Sequence, residues 1–363
     1  MLAMHMANEL LTPSVAGAFI LLVACVLAFA SRQTRRAFDP ARVPLMGVLG
    51  AFVFAAQMVN FPILPGTSGH LGGGVLLAIL LGPHAATLVM AAILIVQCLI
   101  FQDGGLLALG TNILNMGIVP CYLGSTMFRV LAGARPAAGR LYAAVFVATL
   151  VGMVTGAALV PLEVWASGRL TVPLREFLAV MVGLHLLVGL GEAVITFLVV
   201  GYVCRVRPQL LGTVADRLHA SGKGLSMASV AISFAVVALL LAGLVSLYAS
   251  SAPDALESIG SAERPGAPAP VAAEASPAAE RVSKLQQQAA PLPDYQIMTA
   301  RAKARGSLEQ QRTSPLPDYQ IPGWSQALGT SISGLVGTAV TLAVVWLIGR
   351  SLRPPAPTRD HVH

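Results

Sequence analysis

The sequence predicts an all-α, polytopic membrane protein, and three observations carry that reading. Of its 363 residues 56% are hydrophobic and only 11% are charged, and the mean hydropathy is +0.75; a soluble domain carries about 25% charged residues. The apolar residues gather into runs long enough to cross roughly 30 Å of hydrocarbon. Arg and Lys cluster between those runs, which is how orientation is encoded in a membrane chain. The net charge of +7 is spread over these short clusters, which argues against nucleic acid as a partner and for membrane lipid as the surroundings.

The runs fall at residues 10–30, 43–61, 84–101, 105–130, 141–164, 177–203, 225–249 and 327–349. The first is preceded by almost no positive charge and followed by Arg32, Arg35, Arg36 and Arg42. A signal peptide has the opposite layout, so this run is expected to be a retained helix with its amino terminus outside. A shorter run at 72–82 is Gly-rich at its start and reads as a short crossing or a re-entrant segment. Counted as a crossing it makes nine helices, and charge supports the count. The inside loops are then 31–42, the turn at Pro83, 129–140, 204–224 and the tail after 349. Besides the four arginines already named they hold Arg129, Arg135, Arg140, Arg205, Arg207, Arg217, Lys223, Arg350, Arg353 and Arg359, whereas the short outside loops hold Arg169 and Arg175. Without the 72–82 crossing every later cluster would lie on the wrong side.

Residues 250–325 differ in kind: rich in Ala, Pro, Ser, Gln and charge, without hydrophobic periodicity, they read as a largely disordered outside loop. The heptapeptide PLPDYQI occurs there at 291–297 and again at 315–321. Cys25, Cys98, Cys121 and Cys204 sit singly in or at the end of apolar runs, as small buried hydrophobes do, and their spacing supports neither a disulfide framework nor a zinc site. SGKGLS at 221–226 lacks the glycine a phosphate-binding loop requires, since position 217 is Arg. Any ATP hydrolysis must then reside on another chain.

The topology places two histidines on one side. His5 lies in Met4-His5-Met6 before the first crossing, and His70 ends a Gly/Pro-rich outside segment just before Gly72-Gly73-Gly74. With Met4 as the amino-terminal residue, its amine, the deprotonated amide nitrogen of His5 and His5 Nδ1 form fused five- and six-membered chelate rings. An imidazole from His70 closes a square of four nitrogens, a geometry that suits Ni(II) or Cu(II). The chain as written begins Met1-Leu2-Ala3, an extension that removes the amine ligand. Irregular backbone before His70 can line a pocket at membrane depth when protein buries it. Gln57, Asn60, Gln97, Gln102, Asp103, Asn112 and Asn115 add polar atoms towards the outside half or the interior, and some can orient the histidines. His84, beside Pro83, is expected inside, as is His219; His361 and His363 lie in the tail.

A second constellation is intramembrane. His185 and Glu192 are seven residues apart in HLLVGLGEAVIT, on one helix face, and ionisable residues at this depth are functional by default. They leave two alternatives open: a proton-coupled secondary metal transporter, or an intramembrane enzyme built on this pair. No HExxH, second nearby acid or Ser/Lys pair accompanies them.

Four blocks, MHMANELLTPSVAG, PGTSGHLGGG, VQCLIFQDGGLLALGTNILNMG and HLLVGLGEAVIT, in order across residues 4–205, resemble the CbiM/NikM family, the substrate-capture (S) component of cobalt/nickel energy-coupling-factor transporters. SAPDALES at 251–258 resembles the PDGLE motif of the small NikN-type partner, with Ala255 in place of Gly, and PLPDYQIPG at 315–323 resembles its second motif. The resemblance implies a seven-helix, metal-binding bundle over 1–224, a fused NikN/PDGLE-like part over 225–350 with helices at 225–249 and 327–349, and a cytoplasmic tail at 351–363. It implies Met4, His5 and His70 as metal ligands; Ser68, Asn60, Gln97, Asn112 and Asn115 are read from their own polarity as residues around the pocket. It further implies Ni(II) or Co(II) as transported substrate, with nickel favoured by the fusion, no bound organic cofactor, and no catalysis by this chain. A separate transmembrane coupling (T) protein and two ATPase subunits would drive transport in the inner membrane, the coupling protein meeting small residues of the first helix such as Ser14, Ala16, Gly17, Ala18 and Ala24.

Overall fold

The computed structural model describes residues 5–37, 39–64, 67–133, 137–207, 225–250, 275–290 and 326–353. Met4, Ala255, both PLPDYQI copies, His219, His361 and His363 lie outside the described residues. The architecture is a helical bundle, and among the described residues six helical segments are long and apolar enough to cross a membrane. They are Pro13–Arg36 (α1), Pro83–Phe101 (α4 with its last turn), Ala138–Ala166 (α7), Leu174–Val206 (α8), Met227–Tyr248 (α9 with its last turn) and Thr330–Ser351 within α11. α1 starts with Pro13 in its first turn and ends with Arg35 and Arg36 in its last; proline suits the first position and cations suit the carboxyl end of the helix dipole. Leu21 on α1, Leu198 on α8 and Ile232 and Leu239 on α9 are all exposed, an outward apolar face that only lipid satisfies.

Inside this ring α2 (Val43–Gln57), α3 (Gly74–Leu81) and α4 proper (Pro83–Val96) are apolar almost all round and buried, as helices at the centre of a bundle are. α3 has eight residues and is about 12 Å long, too short to cross by itself. The coil of residues 70–73 before it is fully buried, a setting where irregular backbone is tolerated because protein rather than lipid surrounds it. Ahead of that coil, Phe61–Leu64 (β1) and Thr67–Gly69 (β2) form an antiparallel ribbon, an element that sequence periodicity does not announce.

Where the sequence predicts one helix over 105–130, the chain winds as α5 (Leu109–Asn112), π turns at Ile113–Ile118 and Pro120–Gly124, and α6 (Ser125–Ala132). Pro120 has no N–H to donate, which favours such a register change. α7 and α8 pair lengthwise. The carboxy-terminal helices, α9 (Met227–Gly243) and α11 (Gln326–Ser351), pack on α2, where Phe52 meets Phe234 at 5.4 Å between ring centroids. Their Val230, Phe234, Ala238 and Val345 belong to the same core as α2 and α4, so the two sequence parts share one hydrophobic interior.

One local feature goes beyond the expectation. Within the segment read as disordered, Pro277–Ala289 forms a helix, α10, capped by Ser276 Oγ accepting the Ala279 N–H. Its composition is polar because it lies on top of the bundle, and its order comes from docking. Gln286 is 5% exposed and its Nε2 donates to the Cys98 and Gly104 carbonyls at 3.1 and 2.8 Å.

The two ends of the bundle agree with the charge-based loops. Arg35 at the end of α1 donates to the Ser351 carbonyl at the end of α11 at 3.3 Å. At the opposite end Arg169 donates to the Glu9 carbonyl at 3.2 Å, and Ser250 N–H donates to the Asn60 carbonyl at 2.8 Å.

Candidate functional site

The amino-terminal segment is threaded into the bundle rather than left at its surface. Met6 N–H donates to Asn112 Oδ1 at 2.7 Å, and the Met6 carbonyl accepts from Gly105 N–H at 2.8 Å and Asn112 Nδ2 at 3.2 Å. Asn8 Oδ1 accepts the Leu107 N–H at 2.7 Å, while Asn8 Nδ2 donates to Ser283 and Gln286 of α10. These bonds hold His5 at 1% exposure, beneath α10 and beside the turn that ends α4. That turn is tight: Gln102 takes φ 59, uncommon for a residue with a side chain, and it carries the chain round to Asp103.

His5 and His70 lie together with nearly parallel rings, 5.9 Å between centroids and 18° between planes. Hydrogen bonding fixes one donor nitrogen on each ring. The Gly72 carbonyl can only accept, so Gln57 Nε2 donates to it at 2.7 Å. Gln57 Oε1 then accepts from Gln97 Nε2 at 2.9 Å, which leaves Gln97 Oε1 to face His5 Nε2 at 3.2 Å. His5 Nε2 therefore donates to Gln97 Oε1, and His5 Nδ1 lies 3.1 Å from Asp103 Oδ1. His70 is set the other way: its Nδ1 donates to the Leu71 carbonyl at 3.0 Å, and its buried Nε2 has no hydrogen-bond partner. Burial, followed by the neighbouring His5, pulls the His70 pKa from 6.5 to about 4, so its ring is neutral at ordinary pH.

The His70 coil is clamped from below. Glu192 on α8 accepts the Gly72 N–H on Oε2 and the Gly73 N–H on Oε1, each at 2.9 Å. Gly73 has φ +79 and packs on Val53, a conformation and a gap that suit glycine alone. His185, one face along α8, donates from Nδ1 to the Met181 carbonyl at 2.8 Å.

The sequence-derived residues thus separate into groups. Gln97 touches His5, and Asn112 holds the segment carrying it. Ser68 is buried on β2 two residues before His70, and Asn60 is buried beside β1. Asn115 points elsewhere: its Nδ2 donates to Glu163 Oε2 on α7 at 2.8 Å. His84 lies apart, bonded to Tyr122 at 2.9 Å. Reading the sequence missed Glu163, Asn8 and Gln286. Glu163 was detectable as an acid inside the apolar run 141–164; Gln286 carried no signal, being one polar residue in a polar segment.

A lipid-facing helical bundle that buries two stacked imidazoles at one end has the form of a membrane transport component. A family model of the cobalt uptake substrate-specific transmembrane region, CbiM, matches residues 5–210, and the PDGLE domain matches 228–309 and 305–354. A putative fused nickel transport protein NikMN from Archaeoglobus fulgidus is 33% identical over 351 residues, spanning 96% of this chain and 99% of that protein. A putative metal transport protein from Haloquadratum walsbyi is 36% identical over 210 residues, spanning 58% of this chain and 94% of its own. Among solved structures, a truncated transition metal transporter is 30% identical, with a TM-score of 0.49 over 55% of this chain and 97% of that one. The chain belongs to the CbiM family and carries a fused PDGLE part, a metal transport component in a multi-pass membrane protein. That sets aside the intramembrane-enzyme alternative for His185 and Glu192.

Proposed function

We propose that this chain captures Ni(II) or Co(II), with nickel favoured, on the outer side of the membrane as the substrate-binding subunit of an energy-coupling-factor importer. The carrying observation is the pairing of two buried imidazoles: His5 and His70 stack at 5.9 Å, His70 Nε2 is a lone pair without a hydrogen-bond partner, and His5 Nδ1 lies beside the Asp103 carboxylate. His5 Nδ1 is the atom that closes a six-membered ring with its own amide nitrogen, and His70 Nε2 supplies an imidazole from across the pocket. In a chain that starts at Met4, the amine of that residue would complete four nitrogens. Charge balances too: a divalent ion is neutralised by one deprotonated amide and the Asp103 carboxylate, which a buried site requires. A nitrogen square favours Ni(II) geometrically, and relatives with the same fused organisation carry the nickel name.

Glu192 acts in this reading as the clamp that positions His70, which accounts for its burial without proton coupling. The amino terminus lies outside and the carboxyl terminus in the cytoplasm. The capture domain is 1–224 and the loading part 225–350. A separate transmembrane coupling protein and two ATPase subunits supply the power stroke. Of the small residues on α1, Ser14, Ala18 and Ala24 are exposed whereas Ala16 is buried within the chain, so the first three are the ones available to a neighbour.

The test is metal titration of purified protein with a verified amino terminus, comparing a Met4 start, the Met1 start and His5→Ala. Tight binding of nickel that needs Met4 exposed and His5 intact supports the capture site; equal binding by all three forms refutes it. Uptake by vesicles with and without the coupling and ATPase subunits tests the power source. Sustained uptake by this chain alone would favour a self-sufficient carrier.

A further inference from the structure

At the end of the bundle opposite His5 and His70, the end of α1, the start of α2 and the end of α11 come together. Ala30 of α1, Leu88 of α4 and Leu352 just after α11 form one small buried cluster, with Leu27 and Ile348 packed against it. Gly349 of α11 packs so closely on α2 that a Cβ there would lie 2.8 Å from a methyl carbon of Val43. Arg35 closes the junction by donating to the Ser351 carbonyl at 3.3 Å.

Charge at this junction has one sign. Arg32, Arg35, Arg36, Arg42, Arg350 and Arg353 belong to its three segments and are all exposed. Asp39, 3.4 Å from Arg42, is the one acid at this end among the described residues. A bias for arginine in inside loops does not require segments 316 residues apart in sequence to meet. An apolar flank stands beside the cations. The Arg350 guanidinium lies 5.5 Å from the centroid of the Trp346 ring, and Trp346 and Leu347 are 39% and 56% exposed. Tryptophan and arginine together suit the boundary between head groups and hydrocarbon, the ring facing acyl chains and the cation facing phosphate.

We propose that this junction binds one anionic phospholipid, its phosphate held by Arg36, Arg350 and Arg353 and its acyl chains lying along α11 beside Trp346 and Leu347. Guanidinium groups take phosphate oxygens in pairs, and basic pockets between membrane helices bind anionic head groups. The exposed apolar flank favours a lipid over an acidic protein segment, which has no acyl chain to lay against it. The lipid bridges α1, within the CbiM-matched part, to α11, within the PDGLE-matched part. It thereby fastens the fused part to the capture domain at the end remote from His5 and His70. That the leaflet is the cytoplasmic one rests on the orientation proposed above; the site does not.

The experiment is native mass spectrometry of the full chain, released from micelles holding equal amounts of phosphatidylglycerol and phosphatidylcholine of matched chain length, beside thermal melts with each lipid. We expect the parent to retain one phosphatidylglycerol and to melt at a higher temperature with it than with phosphatidylcholine. Arg36→Gln with Arg353→Gln should lower retention about 30-fold and remove the rise in melting temperature. Arg129→Gln with Arg205→Gln takes the same charge from α6 and α8 on the same side and should leave both readings unchanged. Lipid-free melts verify that the variants fold. Should the first pair not fold, Arg350→Gln alone, whose ring contact lies within α11, should lower retention about 5-fold. No preference for phosphatidylglycerol in the parent overturns the proposal. Equal loss from both double variants does so too, by making diffuse charge the cause, as does displacement of the lipid by excess inorganic phosphate, by making this a simple anion site.

Discussion

Glu192→Gln is the perturbation that most sharply separates positioning from mere packing. The parent carboxylate accepts two backbone N–H groups, from Gly72 and Gly73, at 2.9 Å each. An amide keeps one oxygen but turns its NH2 towards the other backbone donor, so one charge-assisted bond is lost, and two donors then face each other. A hydrogen bond to a charged acceptor contributes about 1.5–3 kcal/mol. Expressed in the coil that carries His70, that corresponds to a loss of about 10- to 100-fold in metal affinity, the range seen when groups that orient metal ligands are replaced. Isothermal titration with nickel in detergent or nanodiscs reads the affinity, and a thermal melt without metal reads stability. We expect the affinity to fall and His70→Ala to add little to the loss already caused by Glu192→Gln. Wild-type affinity in Glu192→Gln would refute the clamp. So would a lowered melting temperature with unchanged affinity, which would make Glu192 a packing residue.

Three further outcomes follow from the same geometry. Gln97→Leu removes the acceptor that holds the His5 proton on Nε2 and leaves Gln57 Oε1 unmet; nickel affinity should fall about 10- to 100-fold, read by competition with a chelator. The metal-free protein should lose stability as pH drops from 6.5 to 4, because the unfolded chain protonates His70 in that window while the folded one, with its pKa at about 4, does not. The loss is on the order of 3 kcal/mol, flat above pH 6.5, and a melt series on His70→Asn should show that part of the slope removed. Gln286→Ala breaks the link between α10 and the Gly104, Leu106 and Cys98 backbone; hydrogen exchange at the Leu106 amide should quicken, and unchanged protection would mean that α10 is held by other contacts.

Much of this protein is legible in its sequence because a bilayer permits few answers. Apolar runs must become helices, since hydrocarbon offers the backbone no partners, and the alternation of Arg-rich loops assigns their ends. His5 and His70 stand out as candidate ligands on the same reasoning, because topology puts both on one side. The elements that escaped prediction are those whose conformation comes from contacts distant in sequence. The buried coil after the ribbon at 61–69 is held by a carboxylate 119 and 120 residues away. The helix at 277–289 is polar by composition and ordered by what it docks on. The helix predicted over 105–130 becomes π turns around Pro120 where the chain packs against α7.

What the sequence determined alone is therefore the class, the crossing segments and the residue types available for metal chemistry. Tertiary structure decided their chemical states. Gln57, Gln97 and Gly72 together make His5 Nε2 a donor, and Leu71 makes His70 Nδ1 one. The physical reason is that a tautomer is selected by the partner each ring nitrogen meets, and those partners come from three different elements brought together only by packing.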